Sequence, residues 1–132
     1  MRYLVDTDYL IDATGGIPSA VQTLQRLSDQ GVAVSIISYG EIFEGAYGFA
    51  DPKTLLAAYQ EFLGDYPTLP LSGPIMATFA RTRYFLRRMG QLIPDLDLLI
   101  AATALAHGLT LVTRNIRHFA RIPDLALYPA RG

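Results

Sequence analysis

The chain has 132 residues, a formal net charge of -1, a hydrophobic fraction of 51% and a charged fraction of 17%. That length fits a single domain, residues 1–132, able to bury roughly two-thirds of its unfolded surface around one core. The absence of cysteine excludes a disulfide framework, a thiolate nucleophile and a thiolate zinc site, and the balanced charge speaks against a nucleic-acid binder that works by bulk positive charge.

Short apolar runs alternate with longer helical patterns, the arrangement of a mostly parallel sheet with helices on its faces. The first strand is predicted over Arg2 to Asp6. Its apolar run is too short for a secretory leader and no run approaches the roughly 18 residues of a membrane span, so a cytoplasmic protein with no membrane role is expected. A short helix follows over Tyr9 to Ala13, with Asp8 able to cap it, before the turn Gly15-Gly16. Pro18 suits the first turn of the next helix, which carries Val21, Leu24 and Leu27 at helical spacing and stops near Gly31. The second strand is predicted over Ala33 to Ile37, with a helix starting at Ser38. Asp51-Pro52 opens a helix through Leu63, stopped by Gly64. A third strand over Thr68 to Leu71 precedes Gly73-Pro74, which opens a helix bearing Arg81, Arg83, Arg87 and Arg88 and ending near Gly90. Those arginines suit phosphate contact, but a solvated face or a subunit contact explains them slightly better. The last long helix is framed by Pro94, a capping Asp95 and the C-terminal stop Gly108. Strands over Thr110 to Thr113 and Ala126 to Tyr128 complete the chain.

This order brings three carboxylates to one edge. In a parallel α/β sheet the carboxyl ends of the strands and the amino ends of the following helices lie together, where ligands bind. Asp6 closes the first strand, Glu41 falls in the first turn of the helix after the second, and Asp97 in the first turn of the helix leading to the fourth. Ionised oxygens brought that close repel one another unless protons or a cation neutralise them, and oxygen donors suit a hard divalent ion. Each acid also has a structural explanation. Ser38-Tyr39-Gly40-Glu41 spells a capping box, and Asp97 complements a helix dipole. Asp6 is harder to explain away, because a carboxylate closing a central strand needs hydrogen bonds or a cation. His107 and His118 have no ligand-like neighbour at i+4, so zinc is not expected, and Ser38 lacks the glycine frame of a hydrolase nucleophile.

Four segments, in order, resemble the motif blocks of PIN-domain ribonucleases, and more closely those of VapC-type toxins from bacterial or archaeal toxin-antitoxin pairs. They are Leu4-Val5-Asp6-Thr7-Asp8-Tyr9-Leu10-Ile11-Asp12; Ser38-x-x-Glu41-Ile42-x-x-Gly45; Asp97-Leu98-Leu99-Ile100-Ala101-Ala102-Thr103-Ala104; and Gly108 through Asn115 with Phe119. The resemblance implies a three-layer α/β/α fold, a homodimer, an antitoxin partner, an RNA substrate and hydrolysis with Mg²⁺, for which Mn²⁺ can substitute. It places Asp6, Glu41 and Asp97 in the metal site. Asn115 stands where the family often has aspartate, so it offers an amide oxygen but no charge, and one tightly held ion is expected; Asp95 is a poor substitute, since residues two apart on a helix face different ways. Attack by an activated water would leave 5′-phosphate and 3′-hydroxyl ends, with Thr7 and Thr113 placed to position water or phosphate.

Two other readings compete. Asp6-Thr7-Asp8 after an apolar strand imitates the opening of a haloacid-dehalogenase-like phosphatase, although Tyr9-Leu10 follow and Lys53, the one lysine, falls in a predicted loop. A non-catalytic PIN-like RNA-binding module would have no use for three retained acids.

Overall fold

The computed structural model describes residues 1–129. Its sheet has the order β3-β2-β1-β4-β5, and every pairing is parallel. The strands are β1 (Tyr3–Val5), β2 (Val32–Ser35), β3 (Thr68–Leu69), β4 (Thr110–Val112) and β5 (Leu127–Tyr128). The helices are α1 (Thr7–Thr14), α2 (Pro18–Ser28), α3 (Ile36–Ala46), α4 (Pro52–Leu63), α5 (Gly73–Arg88), α6 (Asp95–His107) and α7 (Ile116–Phe119).

Strand alternation divides the core into two layers. Tyr3, Val5, Val32, Val34 and Val112 point to one face, where they pack with Leu10 of α1, Leu24 and Leu27 of α2, Ile42 of α3 and Leu63 of α4. Leu4, Ala33 and Leu111 point to the other, against Leu86 of α5, Leu98, Ile100, Ala101 and Ala104 of α6, and Phe119 of α7. Both faces of the central strand are therefore covered, which is why its three residues read as an unbroken apolar run. The result is the three-layer α/β/α arrangement expected from the alternating pattern. None of the described helices is long and apolar enough to cross a membrane.

Several local expectations change. The second strand ends at Ser35, not Ile37: Ile36 and Ile37 favour strand by side-chain shape, but the Ser35 hydroxyl accepts the Ile37 N–H at 3.0 Å and starts α3 there. Ser38 is thus a buried residue inside the helix, the capping box does not form, and Glu41 sits in the second turn. The cap of α1 is Asp6, not Asp8, because the Asp6 carboxylate accepts the Thr7 N–H at 2.8 Å. Asp95 caps nothing; the N-cap of α6 is Pro94, and Asp95 pairs with Arg83 at 2.9 Å. Lys53 belongs to α4 and not to a loop. Gly108 ends α6 at φ 66°, the left-handed conformation that glycine adopts without a Cβ penalty.

Arg114, the residue after β4 and Thr113, ties the outgoing loop to the opposite layer. Its Nε lies 2.8 Å from Asp12 Oδ2, its Nη2 donates to Ser19 Oγ at 3.2 Å, and its guanidinium stands 4.5 Å from the Tyr9 ring centre. These contacts are half exposed, so each contributes modestly, and together about 1–2 kcal/mol. Arg114→Lys is expected to lower the melting temperature by a few degrees, since an ammonium cannot stack and fork at once; a thermal melt equal to wild type would show that the clamp is not a stabilising contact.

Candidate active site at the carboxyl edge of the sheet

The chain runs from β1 outward through β2 to β3, then crosses back to β4 on the other side of β1. The strand order therefore reverses at the carboxyl ends of β1 and β4, and a crevice opens at such a point in an open α/β sheet. Asp6 follows β1 and Thr113 follows β4 on this spot, and the Asp6 N–H donates to Val112 O at 2.8 Å.

Asp6 is the most constrained of the three acids. It is 5% exposed, with Oδ1 accepting from the Thr7 N–H and Oδ2 accepting from the Thr113 hydroxyl at 2.7 Å. Thr113 Oγ1 in turn accepts the Asn115 N–H at 2.9 Å, so one hydroxyl aligns the carboxylate and the start of α7 together. Burial pushes the Asp6 carboxyl up to about 6; its two hydrogen bonds work against that rise, and the neighbouring charges of Asp97 and Asp8 add to it.

Glu41 reaches the same edge from α3. Thr7 Oγ1 donates to Glu41 Oε1 at 2.6 Å and lies 2.9 Å from Ser38 Oγ. Because the single Thr7 hydroxyl proton goes to the glutamate, Ser38 is the donor in the second contact. Burial raises the Glu41 carboxyl, the Thr7 bond lowers it, and the charges of Asp97 and Asp8 raise it again. Asp97, on α6, is raised by burial as well; His118 beside it pulls the other way, and Asp8 adds repulsion. Asp6, Glu41 and Asp97 thus each feel other members of one acidic group, and Asp8, exposed in the first turn of α1, acts on all three.

Among the described residues no group of three or more His, Cys, Asp or Glu side chains is placed to hold a metal ion as the side chains stand. The donor set is nonetheless that of a hard cation: carboxylate oxygens, mutually repelling, at an open edge. A small divalent ion that keeps several of its waters needs only a few protein oxygens. Oxygen donors whose protons are held more tightly than usual, partly by one another's charge, are what such an ion would relieve.

Sequence reasoning missed two contributors. Ser38, read as a cap, supports Thr7 and through it Glu41. His118 has no ligand-like partner at i+4; it lies instead 3.7 Å from Asp97 Oδ2 and 2.8 Å from Asn115 Nδ2. The usable signal was its i+3 spacing from Asn115 on a short helix. Asp95, tied to Arg83, takes no part, and His107 is an exposed residue of the last turn of α6.

Comparison with known proteins agrees in extent and order. The family model described as PIN domain matches residues 3–125. Ribonuclease VapC2 of Rickettsia felis is 31% identical over 129 residues, 96% of each chain. The tRNA(fMet)-specific endonuclease VapC of Salmonella typhimurium is 26% identical over 127 residues, also 96% of each. Among solved structures, VapBC2 from Rickettsia felis bound to a DNA fragment from their promoter superposes with a TM-score of 0.89 at 30% identity, covering 96% of this chain and 97% of the other.

Proposed function

Since the chain belongs to the PIN-domain family, we propose that it is a metal-dependent endoribonuclease and the toxin of a toxin-antitoxin pair. The observation that supports this reading is the set of acids on the carboxyl edge of the sheet: the charge of Asp97 helps to raise both Asp6 and Glu41, and that of Asp8 helps to raise all three. Asp6, Glu41 and Asp97 would hold a Mg²⁺ ion, or Mn²⁺ in its place, with Asn115 contributing its amide oxygen. When bound, the ion supplies a water acidified toward hydroxide and neutralises charge that builds on the phosphate.

The chain's own residues do the positioning. Thr7 N–H and the Thr113 hydroxyl fix the rotation of the Asp6 carboxylate, and the Ser38–Thr7 relay fixes that of Glu41. The amino end of α6 turns backbone N–H groups toward the same edge, where phosphate oxygens are favoured. No protein nucleophile is required, so cleavage leaves a 5′-phosphate and a 3′-hydroxyl. The phosphatase alternative loses its support, as nothing places Lys53 of α4 among these residues.

Partners follow from the relatives and from the surface. Tyr47 and Phe49, after α3, and Tyr84 and Met89, at the end of α5, are large apolar side chains more than half exposed. Such groups suit cover by an antitoxin and by a second copy of the chain in a homodimer. Purified protein is expected to cut RNA with Mg²⁺ or Mn²⁺ and to stop in excess chelator, with the new 5′ ends accepting ligation directly. Undiminished cleavage in EDTA, or 2′,3′-cyclic phosphate ends, would overturn the mechanism.

A further inference from the structure

An asparagine facing a cation has a difficulty that an aspartate lacks. Its Oδ1 is a ligand and its Nδ2 a repelling donor, and the two are so alike in size that packing alone does not choose between them. In this chain the choice is made by a neighbour. Asn115 Nδ2 lies 2.8 Å from His118 Nδ1. The amide nitrogen can only donate, so in this contact Nδ1 accepts and the ring's proton lies on Nε2; the pull of His118 on Asp97 belongs to the protonated ring, in which this bond is absent. Asp97 Oδ2, at 3.7 Å from the same Nδ1, is beyond hydrogen-bond range, which leaves the single lone pair of Nδ1 to Asn115.

The local fold holds this pair in place. Asn115 is the N-cap residue of α7 and His118 lies three residues on, so both side chains occupy one side of the turn. Fully buried Phe119 anchors the turn against α6. The Asn115 backbone is tied to Thr113 Oγ1, and Thr113 to Asp6. Backbone and amide are thereby each held by a hydrogen bond of their own.

We propose that His118 is a positioning residue: by taking one Asn115 Nδ2 hydrogen, it leaves the Asn115 amide oxygen as the atom offered to a divalent cation at the acidic edge. This rests on the metal-dependent reading above. In ¹⁵N-labelled, metal-free protein, a through-bond coupling between Asn115 Nδ2 and His118 Nδ1 is expected, with no proton on Nδ1. A protonated Nδ1, or no coupling, would overturn the assignment whatever the enzyme does.

Mn²⁺ titrations of four proteins test the consequence. His118→Ala is expected to weaken Mn²⁺ binding about tenfold, as loss of a ligand's supporting hydrogen bond does in other metal sites. In an Asn115→Asp background, where both oxygens are equivalent, the same substitution should have little effect. Equal weakening in both backgrounds means a merely structural role and rejects the proposal, as does no weakening in either. Native protein that binds no Mn²⁺ rejects the metal-dependent reading itself, an outcome distinct from a missing orientation effect.

Discussion

Asp6→Asn is expected to lose RNA cleavage by more than the roughly 10- to 100-fold that removal of a supporting hydrogen bond costs in metal sites, and to be more stable than wild type without metal at neutral pH. The two effects have one cause. The Asp6 carboxyl is pushed up to about 6 from 3.8 in the folded chain, chiefly by burial. A raised carboxyl binds its proton more tightly when folded, so its contribution is fully present below about pH 4 and is lost as pH rises through about 6. A shift of about two units corresponds to at most about 3 kcal/mol. Asparagine carries no charge at any pH and still caps α1, so the variant should lack that loss. Melting in chelator at pH 5 and pH 7.5 measures it: wild type should lose stability between the two, and Asp6→Asn should lose less. Glu41 and Asp97 shift in the same direction and add to the wild-type slope. A variant less stable at pH 7.5, or one still cutting RNA, would remove Asp6 from the site.

Expression of the chain alone should arrest growth, while Asp6→Ala should not. A ribonuclease of this kind is held in check between uses by its partner, and the surface has two features such a partner fits. One is the set of exposed apolar side chains at Tyr47, Phe49, Tyr84 and Met89. The other is the acidic edge, where an arginine from the antitoxin would compete with the cation and keep its charge at every physiological pH. Co-expression of the neighbouring small DNA-binding gene product, where one is encoded, should restore growth. Wild-type protein that cleaves RNA in the test tube yet leaves cells unaffected would sink the toxin assignment and leave the nuclease assignment standing.

Much of the fold was legible along the chain because its signals are local. Pro18, Pro52 and Pro74 open helices, Gly64 and Gly108 close them, and the runs at Leu4, Val34 and Leu111 are apolar because both faces of their strands are covered. The placement of Asp6 and Asp97 also follows from local rules, since a residue that ends a parallel strand, or begins the helix before one, lies at the ligand edge wherever the strands pair. The role of Ser38 did not follow, because the capping-box pattern is satisfied by sequence spacing while the true cap, Ser35, is chosen by where β2 stops pairing with β3. Asp95 was likewise readable as a cap until α5 placed Arg83 beside it. The contacts that define the site join residues far apart in the chain: Thr7 to Glu41, Thr113 to Asp6, His118 to Asp97. Sequence supplied the oxygen donors and their order; only the register of β1 against β2 and β4 decided which hydroxyl holds which carboxylate, because a hydrogen bond requires its partners within about 3 Å and no local propensity acts over that separation.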